Sequence, residues 1–163
     1  MKSKISFDTL FVLTALATLT PLASKAADTP EPPPPAANRA APAQPLAAAQ
    51  AHLKDKRWAA ALEELRRVGA TSSADWNNLM GYSLRKQATP DLDGAQRHYD
   101  AALRINPKHL GALEYAGELA LMKRDLATAE RHLTTLSGLC TTPCEPLDDL
   151  KKAVADYKAA NKP

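Results

Sequence analysis

A length of 163 residues leaves room for one domain with extensions, and an aromatic share of 5% in an alanine-rich chain favours helix packed on helix over a sheet-based core. Of the formal charge of +3, Lys2, Lys4 and Lys25 against Asp8 supply +2 before Ala27; the near-neutral remainder has no Lys/Arg stripe and gives no electrostatic case for nucleic acid. Most of the 13 prolines fall between Pro21 and Pro45, so the rest of the chain is free to be helical.

Residues 1–26 have the layout of a secretory signal peptide. Lys2 and Lys4 make the positive start, residues 10–19 the apolar stretch, and Ser24-Lys25-Ala26 a small-x-small cleavage pattern. The apolar run is about half of the roughly 20 residues a membrane span needs. Cleavage near Ala26 and a periplasmic or secreted location are therefore expected, with an uncleaved membrane anchor as the alternative. No cysteine follows the run to carry a lipid. Residues 27–44 are rich in proline and alanine and cannot bury enough apolar surface to fold. They are expected to be a disordered linker, with polyproline II over the run 32–35.

Beyond the linker the sequence repeats. Ala61, Ala95 and Ala129 stand 34 residues apart. The same interval relates Trp58, Leu92 and Leu126; Leu65, Tyr99 and Leu133; and Val68, Ala102 and Leu136. Even Arg97-His98 is echoed by Arg131-His132. In period and residue pattern the chain resembles the tetratricopeptide-repeat (TPR) family, whose units are two antiparallel helices, A and B, that bury their apolar faces by stacking on neighbours. The resemblance covers 45–139 as units of about 45–73, 74–107 and 108–139, and implies an all-α fold, a short superhelix of about three repeats. Gly81 and Gly117 on A helices, with Ala95 and Ala129 on B helices, take the places where the helices cross closely. Pro107 ends the middle unit where the family usually has its proline. The first unit is degenerate: its B helix, 58–68, fits, but its A helix, 46–54, lacks the glycine. The middle unit's A–B loop runs two residues long, and Thr89 is expected to cap the following helix with Pro90 at its first position. Residues 140–163 hold a cysteine-pair turn and a capping helix over 146–160. Leu147, Leu150, Val154 and Tyr157 share one face of that helix, Asp148 and Asp149 its first turn and Lys158 its last.

Cys140 and Cys144 are the only cysteines. In an exported chain such a pair is expected to form a disulfide; a redox site and a two-thiol Cu(I) site are the alternatives. His98 and His132 occupy equivalent repeat positions, and His52 stands where the family has an inner aromatic, so packed or exposed histidines are expected and no metal site. The paired acids Glu63-Glu64 and Asp148-Asp149 diverge around a helix and cannot flank a substrate. No catalytic motif occurs, and neither catalytic residue nor cofactor is expected.

By resemblance, the A helices line a concave groove that binds a protein or peptide. The positions carried over are Gln50 (with Lys54 beside it) in the first unit, and Asn78, Tyr82, Arg85 and Lys86 in the second. The third supplies Glu114, Tyr115, Glu118 and Met122. Glu114 and Glu118 would repel a terminal carboxylate, so the carboxylate-clamp variant of the family is not expected. The expectation is a non-enzymatic scaffold or adaptor of the cell envelope. The rivals are a structural subunit of an envelope or secretion complex acting by self-association, and a metal or redox accessory built on Cys140 and Cys144.

Overall fold

The computed structural model describes residues 45–162 except Thr142. The expected signal segment and linker lie outside the described residues. What is described is all helix: α1 (Ala47–Lys54), α2 (Trp58–Val68), α3 (Ala74–Arg85), α4 (Leu92–Ile105), α5 (Leu110–Met122), α6 (Leu126–Leu139) and α7 (Glu145–Ala160). Short loops fold α1 onto α2, α3 onto α4 and α5 onto α6. Helix α3 packs between α1 and α5, so the three odd helices run side by side, and α7 closes the stack against α5 and α6. This is a TPR-like superhelical arrangement with a terminal capping helix.

The helix ends are set by local chemistry. Ser73, Asp91 and Asp125 each accept a hydrogen bond from a backbone N–H three residues on, at 3.2, 2.8 and 2.9 Å, which satisfies a donor that the first turn leaves free. His109 does the same for α5, with Nδ1 taking Ala112 N–H at 3.1 Å, while its Nε2 lies 3.0 Å from Asp75 Oδ1 on α3. Gly69, at φ 62°, ends α2 in the left-handed conformation that suits glycine. The expected cap at Thr89 is corrected: Asp91 is the cap, and Pro90 precedes it outside the helix. Asp91 wins because its carboxylate can reach the N–H of Gly94, while Pro90 would have to enter the helix for Thr89 to serve. Helix α7 likewise starts one residue early, and Glu145 and Asp148, not Asp149, lie in its first turn.

The A–B turns show why the middle loop differs. In the first and last units the turn closes through Arg57 N–H to His52 O and Asp125 N–H to Ala120 O, both at 2.8 Å. Each places a non-glycine residue at positive φ, Lys56 at 58° and Arg124 at 64°. In the middle unit the same closure runs from Asp91 N–H to Leu84 O at 3.2 Å, spanning the two extra residues without a left-handed residue.

Packing follows the 34-residue period. Ala61, Ala95 and Ala129 are fully buried, where only a methyl fits between helices. Gly81 lies against the Tyr99 ring of α4: a Cβ there would come within 2.6 Å of it. Gly117, expected at the crossing with its own B helix, instead seats Leu150 of α7, whose Cδ2 would stand 2.6 Å from an added Cβ. Leu150 is fully buried there with Leu113, Leu121, Leu136 and Val154, a burial that contributes ~2–3 kcal/mol. Trp76, half a stack away, donates its indole N–H to Leu65 O at 2.7 Å and ties α3 to α2.

Candidate functional site

On α3 and its C-cap, Asn78, Tyr82, Arg85 and Lys86 recur at helical spacing and share one face. On α5, Glu114, Glu118 and Met122 do the same, with Tyr115 beside them. Because α3 and α5 are neighbours, these faces meet. The Tyr82 and Tyr115 rings lie 4.6 Å apart at a 32° tilt, Trp58 stands edge-on to Tyr82 at 5.7 Å, and Tyr115 leans toward buried Tyr99 at 6.3 Å. An aromatic ladder thus runs across all three helix pairs, a contact worth ~0.5–1.5 kcal/mol per pair beyond burial.

Between these faces and α7 opens a cavity of about 440 Å³. Seven of the nine groove residues read from the sequence line it: Asn78, Tyr82, Arg85, Lys86, Glu114, Tyr115 and Glu118. Gln50 is exposed on α1 and takes no part. Met122, 49% exposed, lies in an adjoining cavity of about 390 Å³, whose other residues include Leu121, Ala153 and Tyr157. Arg85, Lys86 and Glu118 are shared by both cavities, so they form one groove with a polar and a more apolar end. Sequence reasoning missed Gly111 and the wall that α7 supplies, Glu145, Pro146 and Asp149. Glu145 and Asp149 are one helical turn apart, and that spacing was the available signal; Glu145 lies outside the helix expected over 146–160, and Asp149 reads as a complement to the helix dipole and as half of a pair that diverges around the helix.

The charges in the cavity are arranged unevenly. Arg85, 6% exposed, brings Nη2 to 2.6 Å from Glu118 Oε2, an ion pair close in distance but poorly angled for a hydrogen bond. Its guanidinium sits 5.6 Å from the Tyr82 centroid and 5.4 Å from that of Tyr115. Lys86, exposed at the rim, holds Nζ 5.6 Å from Tyr82. Glu114 is 6% exposed and makes neither hydrogen bond nor ion pair among the described residues. Burial pushes its carboxyl up to about 8, the carboxylates of Glu118, Asp149 and Glu145 push the same way, and Arg85 opposes them. Burial also raises the phenols of Tyr82 and Tyr115, so both stay protonated.

The remaining candidates are scattered. His98, pushed down by burial and then by Arg97, lies with Nδ1 3.0 Å from Asn77 Oδ1 and edge-on to Trp76. His132, on α6, is lowered by burial and by Arg131. His52 is half-buried on α1. Cys140 and Cys144 are bonded to each other across the turn between α6 and α7, with their Cα atoms 5.9 Å apart, inside the span a disulfide needs. Among the described residues no group of three or more His, Cys, Asp or Glu side chains is placed to hold a metal ion.

No family model matches the chain, and no curated protein matches it. Solved structures do match in fold. One is the type III secretion chaperone SycD of Yersinia enterocolitica, crystallised with a peptide of the translocator YopD. At a TM-score of 0.60 and 16% identity, the match covers 73% of this chain and 93% of that one. An identity this low shows a shared TPR-like fold alone. The likeness also corrects one expectation. Chaperones of the SycD type are cytoplasmic, so the periplasmic or secreted location inferred from a signal segment cleaved near Ala26 is withdrawn. That inference rested only on the charged start, apolar stretch and cleavage pattern of residues 1–26, which lie outside the described residues, while a helical repeat stack buries its core equally well in any aqueous compartment.

Proposed function

We propose that this chain is a non-enzymatic, chaperone-like binding module that holds a segment of another polypeptide in the groove between α3, α5 and α7. The observation that carries this reading is the groove itself. It joins a cavity walled by tyrosines and charges to a second that adds Leu121, Met122 and Tyr157. Rings anchor a segment at small cost in side-chain entropy, and the charged groups orient it. SycD, which shares the fold, is a chaperone captured with a bound translocator peptide, and that supports the same use of the stack here.

A photoreactive benzoyl-phenylalanine at position 122 of the full chain, compared with one at position 134 on the outer face of α6, tests the reading. Segment binding in the groove predicts that a captured polypeptide crosslinks from position 122, and that Tyr82→Ala with Tyr115→Ala abolishes the crosslink. Equal crosslinking from both positions, untouched by the tyrosine changes, refutes it.

A further inference from the structure

Among the described residues the cavity carries a charge imbalance that no ion pair relieves. Four carboxylates, Glu114, Glu118, Glu145 and Asp149, line it against two cations, Arg85 and Lys86. Arg85 is neutralised by Glu118 and buried below the cavity surface. Lys86 lies at the rim over Tyr82. Glu114, Glu145 and Asp149 have no counter-ion within ion-pairing distance among the described residues.

Glu114 is the informative member. It is more than nine-tenths buried, it has no hydrogen-bond or ion-pair partner among the described residues, and its oxygens, not sealed from solvent, face the cavity. A carboxyl in that position is costly to the fold unless something arrives to pair with it. An anion cannot be the intended occupant: its one buried cation is already neutralised, and four carboxylates would repel it. What the wall lacks is a positively charged N–H donor within reach of Glu114, Glu145 or Asp149.

We propose that this cavity receives a cationic group of the bound polypeptide, an ammonium or guanidinium, with Glu114 accepting its N–H while Glu145 and Asp149 close the end behind it. The inference rests on the segment-binding reading above and names the chemistry of what that segment presents. Binding is coupled to a proton. Glu114 is faced by Arg85 from α3, by Glu118 on its own helix, by Glu145 and Asp149 from α7, and by the two protonated phenols. A cation arriving among these favours the carboxylate and expels its proton, so affinity rises as pH increases toward about 8 and then levels.

The probe is a positional-scanning library of acetylated, amidated decapeptides on the full chain, with an unacetylated set lacking Lys and Arg to report capture of a free amino terminus. A preference for Lys or Arg at one position is expected. Replacing that residue by Gln should weaken binding by about tenfold or more, and the preference should vanish in Glu114→Gln. The exposed changes Glu145→Gln and Asp149→Asn, which leave the core untouched, should weaken it several-fold. Enrichment only in the unacetylated set assigns the cavity to an amino terminus. Peptide binding without basic preference, or a preference that survives all three changes, overturns the cation site and leaves the groove reading standing. No binding of any peptide sinks the groove reading itself.

Discussion

Glu114→Gln should make the protein more stable, and only at high pH. In the folded chain the Glu114 carboxyl is held at about 8 against an ordinary 4.5. The folded state therefore keeps a proton that the unfolded chain releases above pH 4.5, and wild-type stability falls as pH rises from about 5 to about 8. At ~1.36 kcal/mol per tenfold change in proton affinity, the full displacement corresponds to roughly 5 kcal/mol. The oxygens open onto the cavity mouth, where solvent and Arg85 screen the charge, so about 2 kcal/mol is expected. Glutamine is isosteric with the protonated acid and has no proton to lose. The variant should match wild type near pH 5 and exceed it by ~2 kcal/mol at pH 9, about 6–10 °C in Tm. Urea melts at pH 5, 7 and 9 measure this directly. A stability difference that does not change with pH, or a variant weakened at every pH, refutes the account of Glu114 as a buried, unpartnered acid.

Gly117→Ala should cost ~1–3 kcal/mol in chemical denaturation by driving a Cβ into Leu150, and Leu150→Ala in the same chain should remove most of that penalty. Arg124→Gly should stabilise by about 0.5 kcal/mol, since it relieves a left-handed side-chain-bearing residue at φ 64°; an unchanged or lowered melting temperature would contradict this. Reducing the Cys140–Cys144 bond opens a loop of few residues and should cost about 2 kcal/mol while leaving peptide binding intact, read by urea midpoints and titrations with and without reductant.

The fold was legible because a repeat stack is nearly one-dimensional: each unit touches only its neighbours, so a single period sets the helices, the buried alanines and the face they share. The limits of α2 came directly from the repeat pattern over 58–68, and Gly69 is the residue that ends it. The start of α4 did not, because Thr89 and Asp91 are both competent caps flanking one proline, and the choice rests on which oxygen reaches an N–H. The α3 and α5 walls were expected from the family resemblance, whose groove positions were carried over unit by unit; helical spacing places them on one face of each helix. The α7 wall was not expected, because nothing local says where a terminal helix docks; Leu150 seated on Gly117 decides that Glu145 and Asp149 face Glu114. Gln50 was carried over by register alone, and α1 lies too far along the stack for register to imply contact with the cavity.

Helix α7 occupies the surface of α5 and α6 on which another repeat would have to stack, and the same helix turns two carboxylates into the cavity. Ending the array and walling the cavity are thus assigned to one element that stands outside the repeat period. Changes along the Glu145–Asp149 edge can reset the charge of the cavity without disturbing any repeat–repeat contact, and chains that add a unit must give up that acidic wall. Cavity charge and array length are set by the same sixteen residues.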